Sequence, residues 1–357
     1  MSHTMQDALV PPLTIGLDLG DRKSVVCVVD AAGQTVESRP LRTTPEGLRE
    51  FFTAYPTARV VLEVGTHSPW VSRVLAPLVA EVFVANPGAM YGRGRRRAKR
   101  NDRMDAEFLA RQGRADPTLL HAIQHRRASA QADLEVVRAR DAVVHARTAL
   151  INHVRGAVKS TGARLPGHDA HHFAAKVRDA VPEPLRLALA PVLATIAALS
   201  ATIAQYDAQV EALQRARYPV TAQLRQIPGV GPLTALTFVL LIDEPARFAR
   251  SRDVGAYFGL APRLDESSDQ QPQLRISKHG DALGRRLLVS AAHYLLGRFG
   301  PPSALRRYGE ALMVRGGPNA KKRAVIAVAR KLAVLLHHLW ITGRAYEAEP
   351  VPRRAAA

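Results

Sequence analysis

Thr14-Ile15-Gly16-Leu17-Asp18-Leu19-Gly20-Asp21 is the stretch on which the fold of the N-terminal third turns. A short apolar run ends on an acid and meets a glycine turn, the pattern of a buried strand. Residues 24–30 form a second such run, and residues 34–41 alternate like a third strand. Their close spacing predicts an antiparallel meander. Further on, residues 45–55 read as a helix, 59–64 as a buried strand, 69–79 as a helix and 81–85 as a strand closed by Asn86-Pro87-Gly88. Strands that alternate with helices favour parallel pairing, so the expected fold class is an α/β sheet followed by an all-α remainder.

The chemistry gathers at the end of this segment. Tyr91-Gly92-Arg93-Gly94-Arg95-Arg96-Arg97-Ala98-Lys99-Arg100 is the densest positive run, and Asn101-Asp102-Arg103-Met104-Asp105-Ala106 follows at once. Asp102 and Asp105, three positions apart, share one face of the first turn of a helix. Asp18 closes the first strand and Glu63 lies near the end of a later one. In an open α/β sheet such strand ends meet at one edge, where sites are built. Singly, each acid reads as a solvated loop residue, and Asp102 as a helix cap. As a set they suit Mg²⁺, with Mn²⁺ as substitute, because hard cations take carboxylate oxygens and bridge to phosphates. Arg93, Arg95, Arg96, Arg97, Lys99 and Arg100 would draw a polyanion to the same place.

Bulk composition agrees. The 357 residues carry a formal net charge of +19, which attracts phosphate backbones through counterion release. One cysteine, Cys27, excludes an intrachain disulfide and suits a reducing compartment. The first 12 residues lack a secretory pattern, and no stretch reads as long and apolar enough to span a bilayer. The expectation is a cytoplasmic protein with no membrane partner.

From about residue 130 the period becomes helical. Leu189, Ile196, Ile203 and Val210 fall at one heptad position and Val192, Leu199, Tyr206 and Leu213 at the other, predicting a coiled coil or a long helical hairpin. A third region runs from Leu224 to Tyr346 and closes with a helix over residues 319–342. In Pro228-Gly229-Val230-Gly231-Pro232, Gly229 and Gly231 form a helix-hairpin-helix-like turn whose N–H groups can hold a DNA phosphate without reading sequence. Lys278, in Arg275-Ile276-Ser277-Lys278-His279-Gly280-Asp281, is a further candidate nucleic-acid contact. Glu266-Ser267-Ser268-Asp269 lies in a polar loop; by spacing alone its serines read as solvated, although a serine can attack phosphorus when its proton is removed. His168, His171 and His172 lack a cysteine partner and are not read as a zinc site, and His337-His338 reads as structural.

Taken together, these motifs resemble the insertion-sequence 110 (IS110) family of DEDD transposases, relatives of the Piv-type DNA invertases. Ile15-Gly16-Leu17-Asp18, Val61-Leu62-Glu63-Val64-Gly65-Thr66 and Asp102-Arg103-Met104-Asp105-Ala106 look like the family's acidic motifs. Tyr257-Phe258-Gly259-Leu260-Ala261-Pro262-Arg263 and residues 324–332 look like its C-terminal motifs. The resemblance implies a RuvC-like (RNase H-like) DEDD domain over residues 13–128, a helical coiled-coil region over 129–217 and a transposase domain over 218–346. A flexible N-terminus (1–12) and a disordered tail (347–357) would flank them. It implies a catalytic serine five positions after Pro262, which is Ser267; Ser268 stands where the family has glycine. It also implies a transient serine–DNA bond, Mg²⁺ at Asp18, Glu63, Asp102 and Asp105, double-stranded donor and target DNA, a non-coding bridge RNA, and a homo-oligomer, dimer or tetramer. The alternative is a RuvC-like Holliday-junction nuclease, or a DNA invertase without an RNA guide.

Overall fold

A computed structural model describes residues 11–86, 101–263 and 274–349. The chain forms two compact units, 1–125 and 126–357. The first holds β1 (Thr14–Asp18), β2 (Lys23–Val29), β3 (Thr35–Arg42), α1 (Pro45–Phe52), β4 (Arg59–Glu63), α2 (Ser68–Leu75), β5 (Glu81–Ala85) and α3 (Asp102–Ala115). The sheet order is β3-β2-β1-β4-β5. The first three strands pair antiparallel, while β1–β4 and β4–β5 are parallel. This is the mixed α/β sheet and mostly helical remainder expected from the sequence.

The central strand β1 is buried on both faces. On one, Ile15 and Leu17 join Val60, Leu62, Leu48, Phe52, Val71 and Leu75 beneath α1 and α2. On the other, Gly16 lies directly under α3: a Cβ built there would stand 1.9 Å from Ala106 O and 2.5 Å from Ala110 N. Toward the C-terminal end of α3, Gly113 faces Val61 and Thr14. Helix α3 therefore runs antiparallel to β1, and its first turn lies toward the end of the strand that carries Asp18. Buried Arg59 fixes the far end of α3, donating from Nε to Glu81 (2.6 Å) and from a guanidinium nitrogen to Gly113 O (2.9 Å).

In the second unit, α4 (Ala128–Ser160) and α6 (Glu183–Arg217) pack as an antiparallel hairpin, with α5 (Phe173–Val177) near its tip. Leu189, Ile196, Ile203 and Val210 are buried, as their heptad position predicts. The second position is corrected by one residue. Leu193, Ser200 and Gln214 are the buried members of the inner row, while Val192, Leu199, Tyr206 and Leu213 are only half-buried. The row is largely polar because it sets register. Asp133, Arg140 and Arg147, spaced seven apart on α4, bond across to Arg217 (2.7 Å), Asp207 (2.6 Å) and Ser200 (3.1 Å). Polar groups at inward heptad positions lower stability but select one alignment.

The other α-helices among the described residues of this unit are α7 (Val220–Leu224), α8 (Pro232–Ile242), α9 (Val254–Tyr257), α10 (Ala282–Leu296), α11 (Ala304–Val314) and α12 (Ala320–Thr342). Helices α8 and α12 run through the core of this unit. The expectation that no stretch is long and apolar enough to cross a bilayer is corrected. Among the described residues two helices are, by length and composition: α6 over its apolar stretch, and α12. The cause in α6 is the charge-free, Ala- and Leu-rich run between Arg186 and Asp207; α12 is half buried among its neighbours.

His337, fully buried on α12, is structural as its apolar setting predicts. Its Nε2 donates to Pro245 O (3.0 Å), so Nδ1 accepts from Ser251 Oγ (3.0 Å). Desolvation pushes the imidazole below its ordinary range of 6.5. Below that value the unfolded chain takes up the proton before the folded one, so His337 costs stability as pH falls and nothing above it. We expect the midpoint of thermal unfolding to fall between pH 7 and pH 5, and His337→Leu to flatten that fall while lowering stability at pH 7. An unchanged slope in His337→Leu would contradict this.

Candidate active site

Register brings the strand-end acids together. In the parallel β1–β4 pair Leu17 lies opposite Leu62, so the next residues, Asp18 and Glu63, end neighbouring strands at one edge. Both are half-buried. Helix α3 adds Asp102, exposed, and Asp105, half-buried, in its first turn. Asp102 does not cap that helix. Asn101 does, its Oδ1 accepting from Met104 N (2.9 Å). The acids sit where the helix dipole stabilises negative charge. Among the described residues, no three His, Cys, Asp or Glu side chains stand close enough together to hold a metal ion. The backbone thus sets the carboxylates on one edge without closing them into a cage. As a donor set, four carboxylates match a hard divalent cation that keeps several water ligands.

The basic run, with Arg93, Arg95, Arg96, Arg97, Lys99 and Arg100, lies outside the described residues, and so does Ser267 with its neighbour Ser268. The two segments that lead into and out of residues 264–273 are tightly fixed. Pro262 and Ile276 form an antiparallel bridge, Arg263 N donates to Arg275 O (3.0 Å), and Ser277 N donates to Ala261 O (2.9 Å). Gly259 and Gly280 allow the segments to cross. A Cβ on either would stand 2.0 Å from a carbonyl oxygen, of His279 and Tyr257 respectively, and both glycines have positive φ. Arg285 on α10 ties the crossing together, one guanidinium nitrogen donating to Phe258 O (3.2 Å), Lys278 O (3.1 Å) and His279 O (3.2 Å). Lys278 is exposed, with φ of 57°. Sequence reading missed Arg285, because an arginine that bonds to loop backbone carbonyls leaves no residue pattern of its own.

Gly229 and Gly231 form the turn between α7 and α8, with Gly229 at φ 84° and Gly231 as the N-cap of α8. Tyr294 packs against Gly229. The turn conformation suits backbone contact to a phosphate.

Comparison with known proteins shows the family. Residues 15–162 match a family described as "Transposase", of the DEDD IS110 type, and residues 221–309 match the "Transposase IS116/IS110/IS902 family". The chain belongs to the IS110 family of transposases. The transposase for insertion sequence element IS1111A of Coxiella burnetii is 29% identical over 249 residues, 67% of this chain and 66% of that protein. A probable family 20 transposase of Pseudomonas aeruginosa is 28% identical over 332 residues, covering 90% and 95%. The transposase for element IS1328 of Yersinia enterocolitica is 26% identical over 291 residues, covering 80% and 84%. As a member of this family the chain is an enzyme of the DNA transposase and recombinase class.

Proposed function

We propose that this IS110-family transposase excises and inserts its element by strand cleavage and exchange at Asp18, Glu63, Asp102 and Asp105, with Ser267 as the nucleophile. The observation that carries the reading is the run of α3 along β1. It sets the Asp102 turn at the sheet edge where Asp18 and Glu63 end their strands. The sheet order, three antiparallel strands continued by two parallel ones, supports a RuvC-like domain over residues 13–128. The hairpin and helical region then correspond to 129–217 and 218–346.

In this mechanism Ser267 Oγ attacks the scissile phosphorus. One bond forms between Oγ and phosphorus, one phosphorus–oxygen bond to DNA breaks, and the proton that Oγ loses ends on the departing DNA oxygen. A DNA hydroxyl then attacks the phosphoserine, rejoins the strand and returns the serine. The carboxylates position the phosphate; Mg²⁺ or Mn²⁺ held there would offset the charge that develops on its oxygens. The net charge of +19 supports contact with both donor and target DNA and with a guiding bridge RNA. Ala190, Ala194, Ala197, Ala201 and Ala204, exposed on α6 at alternating spacings of four and three, suit a homo-oligomer built through the hairpin.

Denaturing electrophoresis of protein incubated with end-labelled element DNA tests the serine. A DNA adduct is expected for the wild type and for Ser268→Ala, and none for Ser267→Ala, which also loses excision. Excision at the normal rate by Ser267→Ala would overturn the serine role and favour a metal-only junction nuclease.

A further inference from the structure

The carboxylate edge also carries an imidazole that neither the acidic motifs nor the serine account for. His67 follows Glu63 by four residues and is the N-cap residue of α2. Its loop is closed: Gly65 N donates to Ser68 Oγ (3.0 Å), Ser68 Oγ donates back to Gly65 O (2.8 Å), and Val71 N donates to His67 O (3.1 Å). The ring is fixed as well. Trp70 Nε1 donates to His67 Nδ1 (3.1 Å), with the two rings nearly perpendicular at 89°. An indole N–H can only donate, so Nδ1 accepts and the proton of the neutral ring sits on Nε2.

That Nε2 points to the turn between β1 and β2, where Asp21 Oδ1 stands 3.4 Å away. Because β1 and β4 are parallel neighbours, this turn and the His67 loop leave the sheet at the same edge as Asp18 and Glu63. Asp21 is 89% exposed against 30% for His67. An exposed carboxylate at that distance contributes little and can be exchanged for another anionic oxygen. We propose that His67 is a catalytic residue that donates from Nε2 to a non-bridging oxygen of the DNA phosphate at this edge, the place Asp21 holds without substrate. The proposal rests on the reading of the Asp18–Glu63 edge as the reaction site. Four carboxylates there repel a phosphate, and a fixed donor aimed at its oxygens counters that without adding another base. No proton is transferred; the hydrogen bond strengthens as charge grows on the oxygen, an effect commonly worth about 10²-fold or more in rate.

Excision from a plasmid carrying the gene with its native flanking DNA tests this, with thermal unfolding of each purified variant as the control for folding. His67→Ala is expected to lower excision about a hundredfold. His67→Gln, whose amide nitrogen can replace Nε2–H, should recover most of it. Trp70→Phe, which keeps a ring but frees the imidazole to turn, should fall between the two. Asp21→Ala should retain excision. Wild-type excision by His67→Ala, no rescue by glutamine, or a loss in Asp21→Ala as large as in His67→Ala would overturn the proposal; the last would make the histidine a loop tie. Asp18→Asn run alongside keeps the two readings apart, since excision by that variant removes the edge reading whatever His67 does.

Discussion

Asp18→Asn is expected to reduce excision by about a thousandfold, equivalent to roughly 4 kcal/mol of lost transition-state stabilisation, while the unfolding midpoint should stay near that of the wild type. The substitution keeps the shape of the side chain and one carbonyl oxygen, so strand β1 and its pairing to Val25 and to β4 are retained. What changes is the charge and the ligand strength at the edge. Asp102→Asn should behave alike with a smaller structural effect, because Asp102 is exposed and Asn101 already caps α3. Gel retardation separates binding from chemistry: both variants should still bind element DNA. If Asp18→Asn retained excision within a few-fold of wild type, the strand-end acids would be structural.

Gly16→Ala has the larger expected effect on folding. The added Cβ would stand 1.9 Å from Ala106 O and 2.5 Å from Ala110 N. Those are helix backbone atoms, so no rotamer change relieves the clash and α3 must move off the sheet. Overpacking of this kind costs about 3 kcal/mol or more. The same movement takes Asp102 and Asp105 away from Asp18, so excision falls with stability. Two further glycines calibrate the result. Gly113→Ala meets the Val61 side chain at 2.3 Å, which can yield, and should cost about 1 kcal/mol. Gly65→Ala meets nothing within 4 Å and should leave the unfolding midpoint unchanged. Equal midpoints for Gly16→Ala and Gly65→Ala would contradict the close packing of α3 on β1.

The sheet was legible because its signals are local. Apolar runs of five to eight residues, broken by glycine, proline and polar turns, set the strands, and the switch from meander to strand–helix alternation set the pairing. The long helices were legible from period, but their inner face was read one residue off. Ser200 and Gln214 look like surface residues in a hydrophobicity pattern, and only their partners Arg147 and Pro232 O explain the inward position. The acids stood out because Asp18 and Glu63 end predicted strands and Asp102 and Asp105 open a predicted helix. His67 and Arg285 did not, since each is defined by a hydrogen bond to a group distant in sequence or to a tautomer that its neighbour imposes. The serine motif was legible only through family resemblance, for a pair of serines in a polar loop has no signature of its own.

If phosphodiester chemistry takes place at the carboxylate edge of the sheet, that edge holds a divalent cation when DNA is bound. Paramagnetic resonance of Mn²⁺ titrated into the full chain bound to element DNA addresses it most directly. Saturable Mn²⁺ binding is expected, weakened at least tenfold by Asp18→Asn and by Asp102→Asn, with excision rising over the same metal concentrations. Mn²⁺ binding that is identical in wild type and both variants, or excision that persists in excess chelator, would contradict it.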